Sequence, residues 1–136
     1  MRVVLSLVLV LALCLTAVGC AGKIKKSDAK ETAEAFLAAV AEGDFEAAET
    51  YLHPRASFNA EEIFSGIESR VSIDFQKGIE IRRYTDFSSS LYDDDVKGSD
   101  YELEMDILVD GVTLELSIEI VKNDHGYGIY EIDFDR

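Results

Sequence analysis

Three kinds of hydrophobic spacing follow one another along the chain. Val3 to Val18 is almost continuously apolar, broken only by Ser6 and Thr16. From Asp28 the spacing becomes helical. Ala33, Phe36, Leu37 and Val40 fall at i, i+3, i+4 and i+7, which places them on one face. Asp28 with Glu31 makes a capping-box-like start, and Gly43 suits the stop. Asp44 is placed to cap a short second helix that turns Phe45, Ala48 and Leu52 inward, and His53-Pro54 ends it. Asn59 with Glu62 opens a third helix bearing Ile63, Phe64, Ile67 and Val71. From Gly78 the period becomes two. Gly78 to Tyr92 is a candidate strand whose irregular middle predicts a bulge. Tyr101, Leu103, Met105, Ile107 and Val109 alternate with polar residues up to Asp110-Gly111, a strong two-residue hairpin turn. Val112, Leu114, Leu116, Ile118 and Ile120 alternate on the return. That turn pairs Ile107 with Leu114, Met105 with Leu116 and Leu103 with Ile118, so that one face is wholly apolar. A last strand, Tyr127 to Asp135, is expected to turn Tyr130, Ile132 and Phe134 to one side.

The pattern predicts an α+β domain, with three N-terminal helices packed on one face of a four-stranded antiparallel meander. No internal repeat, low-complexity segment or second domain is visible.

The apolar run changes the picture of where the domain works. Behind Met1-Arg2, and ending in Ala17, Val18 and Gly19, it reads as a secretory signal. It is short for a spanning helix, which needs about 20 residues. "AVGC", Ala17 to Cys20, resembles the lipobox of bacterial lipoproteins. The resemblance implies cleavage after Gly19, acylation of Cys20 and anchoring of the mature chain to a lipid bilayer. The alternatives are an uncleaved signal anchor and an ordinary cleaved signal with an incidental cysteine. Residues 1–19 are then the signal peptide, 20–27 the lipidated cysteine with a basic tether (Lys23, Lys25, Lys26), and 28–136 the domain.

Charge narrows the partners. The whole chain has 13 Lys+Arg against 27 Asp+Glu, a formal charge of −14. Loss of Arg2 with the signal takes the mature chain to −15. Nucleic acid, which requires a basic footprint, is excluded as a partner. The other cysteine, Cys14, leaves with the signal, so the mature chain has no thiol pair and must fold on its core alone. The tether lysines suit either anionic headgroups or plain solvation.

"AKETAEAFLAAVAEGDFEAAETYLHP", Ala29 to Pro54, and "GYGIYEIDF", Gly126 to Phe134, resemble the nuclear-transport-factor-two-like superfamily. The nearest likeness is to its small lumazine-binding-like bacterial lipoproteins. The resemblance implies a cystatin-like, cone-shaped α+β fold with a curved sheet. It leaves function open, because that fold hosts isomerases, dehydratases, ligand binders and scaffolds.

Candidate chemistry is sparse. The inward hairpin residues Leu103, Met105, Ile107 and Val109 cannot transfer a proton or act as nucleophiles. Tyr101 and Tyr130, with Met105, are the candidates for lining a small ligand pocket; their bland reading is a pair of half-buried rings closing the core. His53 and His125 show no metal-ligand spacing. "DDDVKGSDYELE", Asp93 to Glu104, partly fits a calcium loop, but Lys97 stands where an oxygen ligand belongs and the flanks read as strands. No metal or cofactor is expected. On the outer face Glu102 opposes Glu119 and Asp106 opposes Glu115, with Glu104, Glu131 and Asp133 on the same side. Such a face discourages an apolar dimer contact and suits a basic partner, loosely bound cations or solvent. The expectation is a non-catalytic binding or interaction lipoprotein on the extracytoplasmic side of the cell membrane or outer membrane, with an envelope protein as partner. The alternatives are a small-ligand-binding cone and an isomerase or dehydratase-type enzyme.

Overall fold

The first helix, α1 (Lys26–Ala41), begins before the Asp28 expected from the sequence. The computed structural model describes residues 23–92 and 98–135, with backbone alone for Leu91 and Tyr92. Ile24, 8% exposed, is already part of the core, so the packed domain starts inside the stretch expected to be a free tether. Its burial draws the helix start forward. Lys25 enters in extended conformation and makes no side-chain cap, and the Ala29 N–H donates to the Lys25 carbonyl at 3.0 Å. Asp28 sits within the first turn, where a carboxylate still complements the helix dipole. Ala29, Ala33, Phe36, Leu37 and Val40 form the buried face. At the far end Gly43 takes φ 73°, and the Gly43 and Asp44 N–H groups close on the carbonyls of Val40 and Ala39.

The caps predicted at Asp44 and Asn59 form, whereas Asp28 does not cap α1. Asp44 accepts from the Ala47 N–H at 3.0 Å and starts α2 (Phe45–Glu49). Asn59 accepts from the Glu62 N–H at 3.0 Å and starts α3 (Ala60–Val71). A 3₁₀ turn, Phe75–Lys77, follows and is absent from the sequence reading. Asp74 caps it, Glu68 accepts the Phe75 N–H at 3.1 Å, and Gly78 at φ 113° closes it. Phe75 thereby reaches a ring cluster with Phe36, Phe64 and Phe134, in which Phe64 and Phe75 meet edge to face at 4.8 Å.

The strands are β1 (Glu80–Tyr92), β2 (Gly98–Val109), β3 (Val112–Asn123) and β4 (Gly126–Asp135), antiparallel in the order β1-β2-β3-β4. The β2–β3 register is the one predicted, with Ile107 opposite Leu114, Met105 opposite Leu116 and Leu103 opposite Ile118. Asp110 at φ 48° and Gly111 at φ 78° give the turn between them. Strand β1 carries the expected irregularity, as shifts between Ile81 and Arg83 and between Tyr84 and Asp86.

Strand β4 corrects the reading of Tyr130. Glu119 pairs with Glu131, but Ile120 pairs with Ile129, so Tyr130 is the extra residue of a bulge. Ile129 takes the inward place, and Ile132 and Phe134 follow it into the core. Outside the strands, Leu52 bridges to Ile129 in parallel. The His53 N–H donates to the Ile129 carbonyl at 2.8 Å and the Ile129 N–H to the Tyr51 carbonyl at 2.9 Å. The chain after α2 therefore covers part of the β4 edge. None of the described helices is long and apolar enough to cross a membrane.

Candidate functional site

The core side of the sheet offers packing and little else. Leu103, Met105, Ile107, Leu116, Ile118, Ile120 and Ile129 are all fully buried. Tyr101, 9% exposed, packs its ring 6.4 Å from Phe87. Tyr130 lies two strands away at the β4 bulge, with its ring edge-on to His53 at 5.7 Å. Tyr101 and Met105 thus share the inner face of β2, whereas Tyr130 belongs to a different environment. Cys20 and residues 1–22 lie outside the described residues.

His53 is a packing residue whose role the sequence did not disclose. It is 2% exposed. Its Nδ1 accepts the Arg55 N–H at 3.0 Å, so the ring proton sits on Nε2, which donates to Asn123 Oδ1 at 2.9 Å. Both ring nitrogens are engaged. His125 lies in the β3–β4 turn, where its N–H donates to the same Asn123 oxygen at 3.0 Å.

Asp93 and Asp95 of the calcium-like stretch lie outside the described residues, while Gly98 to Glu104 lies in β2. Asp100 on that strand is buried and accepts from both the N–H and the hydroxyl of Ser90. No cluster of three or more metal-ligating side chains occurs among the described residues.

Two tyrosines outside the sequence candidates have perturbed acidities. Burial, then a 2.7 Å hydrogen bond to Glu34, pushes Tyr84 up; burial, with Asp28 and Glu31 nearby and Thr32 opposing, pushes Tyr127 up. Both shifts keep the phenol protonated, the reverse of what a tyrosine base needs.

The outer face has a pronounced character. Register places carboxylates opposite one another on two rungs, Glu102–Glu119–Glu131 and Asp106–Glu115–Asp135, and on the rung between them Ser117 separates Glu104 from Asp133. Arg83 offsets one corner through a 2.6 Å ion pair with Asp106, and Ser117 donates to Glu102 at 3.2 Å. The neighbouring carboxylate in turn raises the Arg83 pKa. A shallow cleft of about 250 Å³ lies over this region, lined by Thr85, Glu104, Glu115, Ser117, Asp133 and Asp135. Like charges directly opposite across strands destabilise a sheet by roughly 0.2–1 kcal/mol per pair. Ser117→Lys, which sets an ammonium between Glu104 and Asp133, is therefore expected to stabilise the domain by about 0.5 kcal/mol. Thermal unfolding in low and high sodium chloride checks this. The gain should vanish near 1 M salt, where the screening length is about 3 Å, and the parent itself should melt higher as salt rises. A parent Tm indifferent to salt would contradict mutual repulsion on this face. No family model, no curated protein and no solved structure matches the chain.

Proposed function

We propose that this chain is a lipid-anchored, extracytoplasmic protein of the cell envelope whose domain binds a basic partner on the outer face of its sheet, without catalysis. The observation that carries this reading is the stack of opposed carboxylates on β2, β3 and β4. A basic partner would relieve the repulsion that the domain bears alone, and electrostatic complementarity favours encounter and discriminates against wrong partners. The apolar lining of the inner face supports the non-catalytic part. The "AVGC" stretch supports the lipid anchor at Cys20. The order of elements supports a nuclear-transport-factor-two-like cone, as do the bulges in β1 and β4, since bulges bend and twist a sheet. The small-ligand reading needs a cavity joining Tyr101, Met105 and Tyr130. Packing of Tyr101 on Phe87 and of Tyr130 on His53 favours the interaction reading.

Photo-crosslinking in intact cells tests it, with the reactive residue at Thr85 beside the cleft. A discrete protein adduct is expected with the parent. It should be lost when Glu104, Glu115 and Asp133 are neutralised as Gln, Gln and Asn in the same chain. No adduct, or an adduct indifferent to neutralisation, would overturn the outer-face reading.

A further inference from the structure

Two lysines near the start of α1 rest on aromatic rings of β1. Lys26 Nζ lies 3.8 Å from the centre of the Phe87 ring, and Lys30 Nζ 4.7 Å from that of Tyr84. The two rings stack on each other at 5.3 Å, and both side chains are half-buried. Lys23 and Lys25 are exposed just ahead of them. Of the acidic residues of the same helix, Asp28 and Glu31 lie near Tyr127 of β4, while Glu34, one turn beyond Lys30, is on the β1 side and accepts the Tyr84 hydroxyl. The first part of α1 therefore sends Lys26 and Lys30 toward β1 and Asp28 and Glu31 toward β4, and Glu34 closes the cationic stretch at Tyr84. This sorting within a strongly acidic chain was not visible in the sequence, where Lys30 stands between Asp28 and Glu31.

From these contacts we infer that the Lys23, Lys25, Lys26 and Lys30 edge, with Tyr84 and Phe87, is the surface on which the domain rests against anionic phospholipid headgroups. This inference rests on the lipid-anchored reading of Cys20. Two observations select a bilayer as the occupant. The first is reach: Ile24 is buried, and four peptide units from Cys20 to Ile24 span at most about 14 Å, so acyl chains at Cys20 would hold this edge at the membrane surface. The second is chemistry. Ammonium groups set beside an amphipathic tyrosine and an apolar phenylalanine match the headgroup level of a bilayer, where tyrosine rings gather and lysines meet phosphate. An ammonium over a ring still has N–H donors free to turn toward a phosphate. The acidic outer face lies on the opposite side of the sheet from α1, so repulsion from an anionic leaflet would reinforce the same orientation and leave that face open to a partner.

The test uses the mature protein isolated from membranes and placed in nanodiscs carrying a gadolinium-labelled lipid. One set contains phosphatidylcholine alone and the other phosphatidylcholine with phosphatidylglycerol. Amide relaxation enhancement is read by NMR, and the mass of the N-terminal peptide is measured on the same sample. With phosphatidylglycerol, enhancement at Lys23–Lys30 and Tyr84–Phe87 should exceed that at Glu115–Glu119 and Glu131–Asp135 severalfold. Phosphatidylcholine, or the Lys26→Glu/Lys30→Glu variant, should even it out. Equal enhancement over the surface, or a maximum on the acidic face, with an acylated Cys20 confirmed by mass, would overturn the docking surface and spare the anchor. A pattern identical in neutral lipid would overturn headgroup recognition. An unacylated N-terminus would overturn both.

Discussion

Replacing Gly128 with alanine is expected to remove about 3–5 kcal/mol of stability, a large part of the 5–15 kcal/mol that holds a domain folded. The cause is steric. A Cβ on Gly128 would stand 2.4 Å from the His53 nitrogen, 2.5 Å from the Leu52 carbonyl carbon and 2.7 Å from its oxygen. These are backbone atoms, so no side-chain rotation relieves the contact. Nor can the segment move cheaply, because two backbone hydrogen bonds tie residues 51–53 to Ile129 and the His53 ring is bonded to Asn123. Lifting it would give up those bonds at about 1 kcal/mol each, and any buried group left unpaired adds 1–3 kcal/mol. The packing of His53 against Tyr130 would be lost too. Urea unfolding with unchanged slope and a much lower midpoint is the expected result. Gly66→Ala is the control: its Cβ would meet nothing within 4 Å inside α3, and it should stabilise by up to about 1 kcal/mol. A Gly128→Ala protein as stable as the parent would show that the segment after α2 is not held on β4.

That segment also marks where sequence reasoning stops. The β2–β3 hairpin was legible to the residue because strict alternation and a two-residue turn leave a single register that sets the alternating apolar side chains on one face. The same register sets the opposed carboxylates facing one another, so most of the candidate surface is legible in the sequence. Arg83 could not be matched to Asp106 in this way, because the β1 shifts change which residues face each other. In β4 the adjacent apolar pair Ile129-Tyr130 belongs to two phases of alternation. Continued back along the strand, the phase ending in Phe134 reaches Tyr130, whereas the bulge hands the inward place to Ile129. At the N-terminus, Asp28 and Glu31 have capping-box spacing one turn inside the real helix, and burial of Ile24 outweighs that local signal. His53 is fixed by contacts with Asn123 and Tyr130, 70 or more residues away, which no local pattern records. The cationic edge of α1 likewise depends on Tyr84 and Phe87 arriving from β1.

Cys20→Ser is expected to move the protein from the membrane fraction to the aqueous one. If Cys20 carries acyl chains, each buried CH₂ contributes about 0.8 kcal/mol; a single chain binds only reversibly, and two or three hold stably. Without them the remaining attraction is electrostatic, about 1 kcal/mol for each lysine near an anionic surface. Four lysines then give about 4 kcal/mol, a millimolar affinity that high salt abolishes. The substitution is expected to leave the fold intact, because it lies ahead of Ile24, the first core residue among the described residues. Fractionation in high salt thus isolates the covalent anchor from the docking edge. Lys26→Glu/Lys30→Glu with Cys20 intact should stay membrane-bound, and Cys20→Ser with the lysines intact should wash off. If Cys20→Ser is retained like the parent, the anchor lies elsewhere. N-terminal mass then identifies it: a chain still beginning at Met1 would place the holding force in the uncleaved apolar run Val3 to Val18. That run falls short of the roughly 20 residues a spanning helix requires, so it would hold the protein across the bilayer only by thinning it locally.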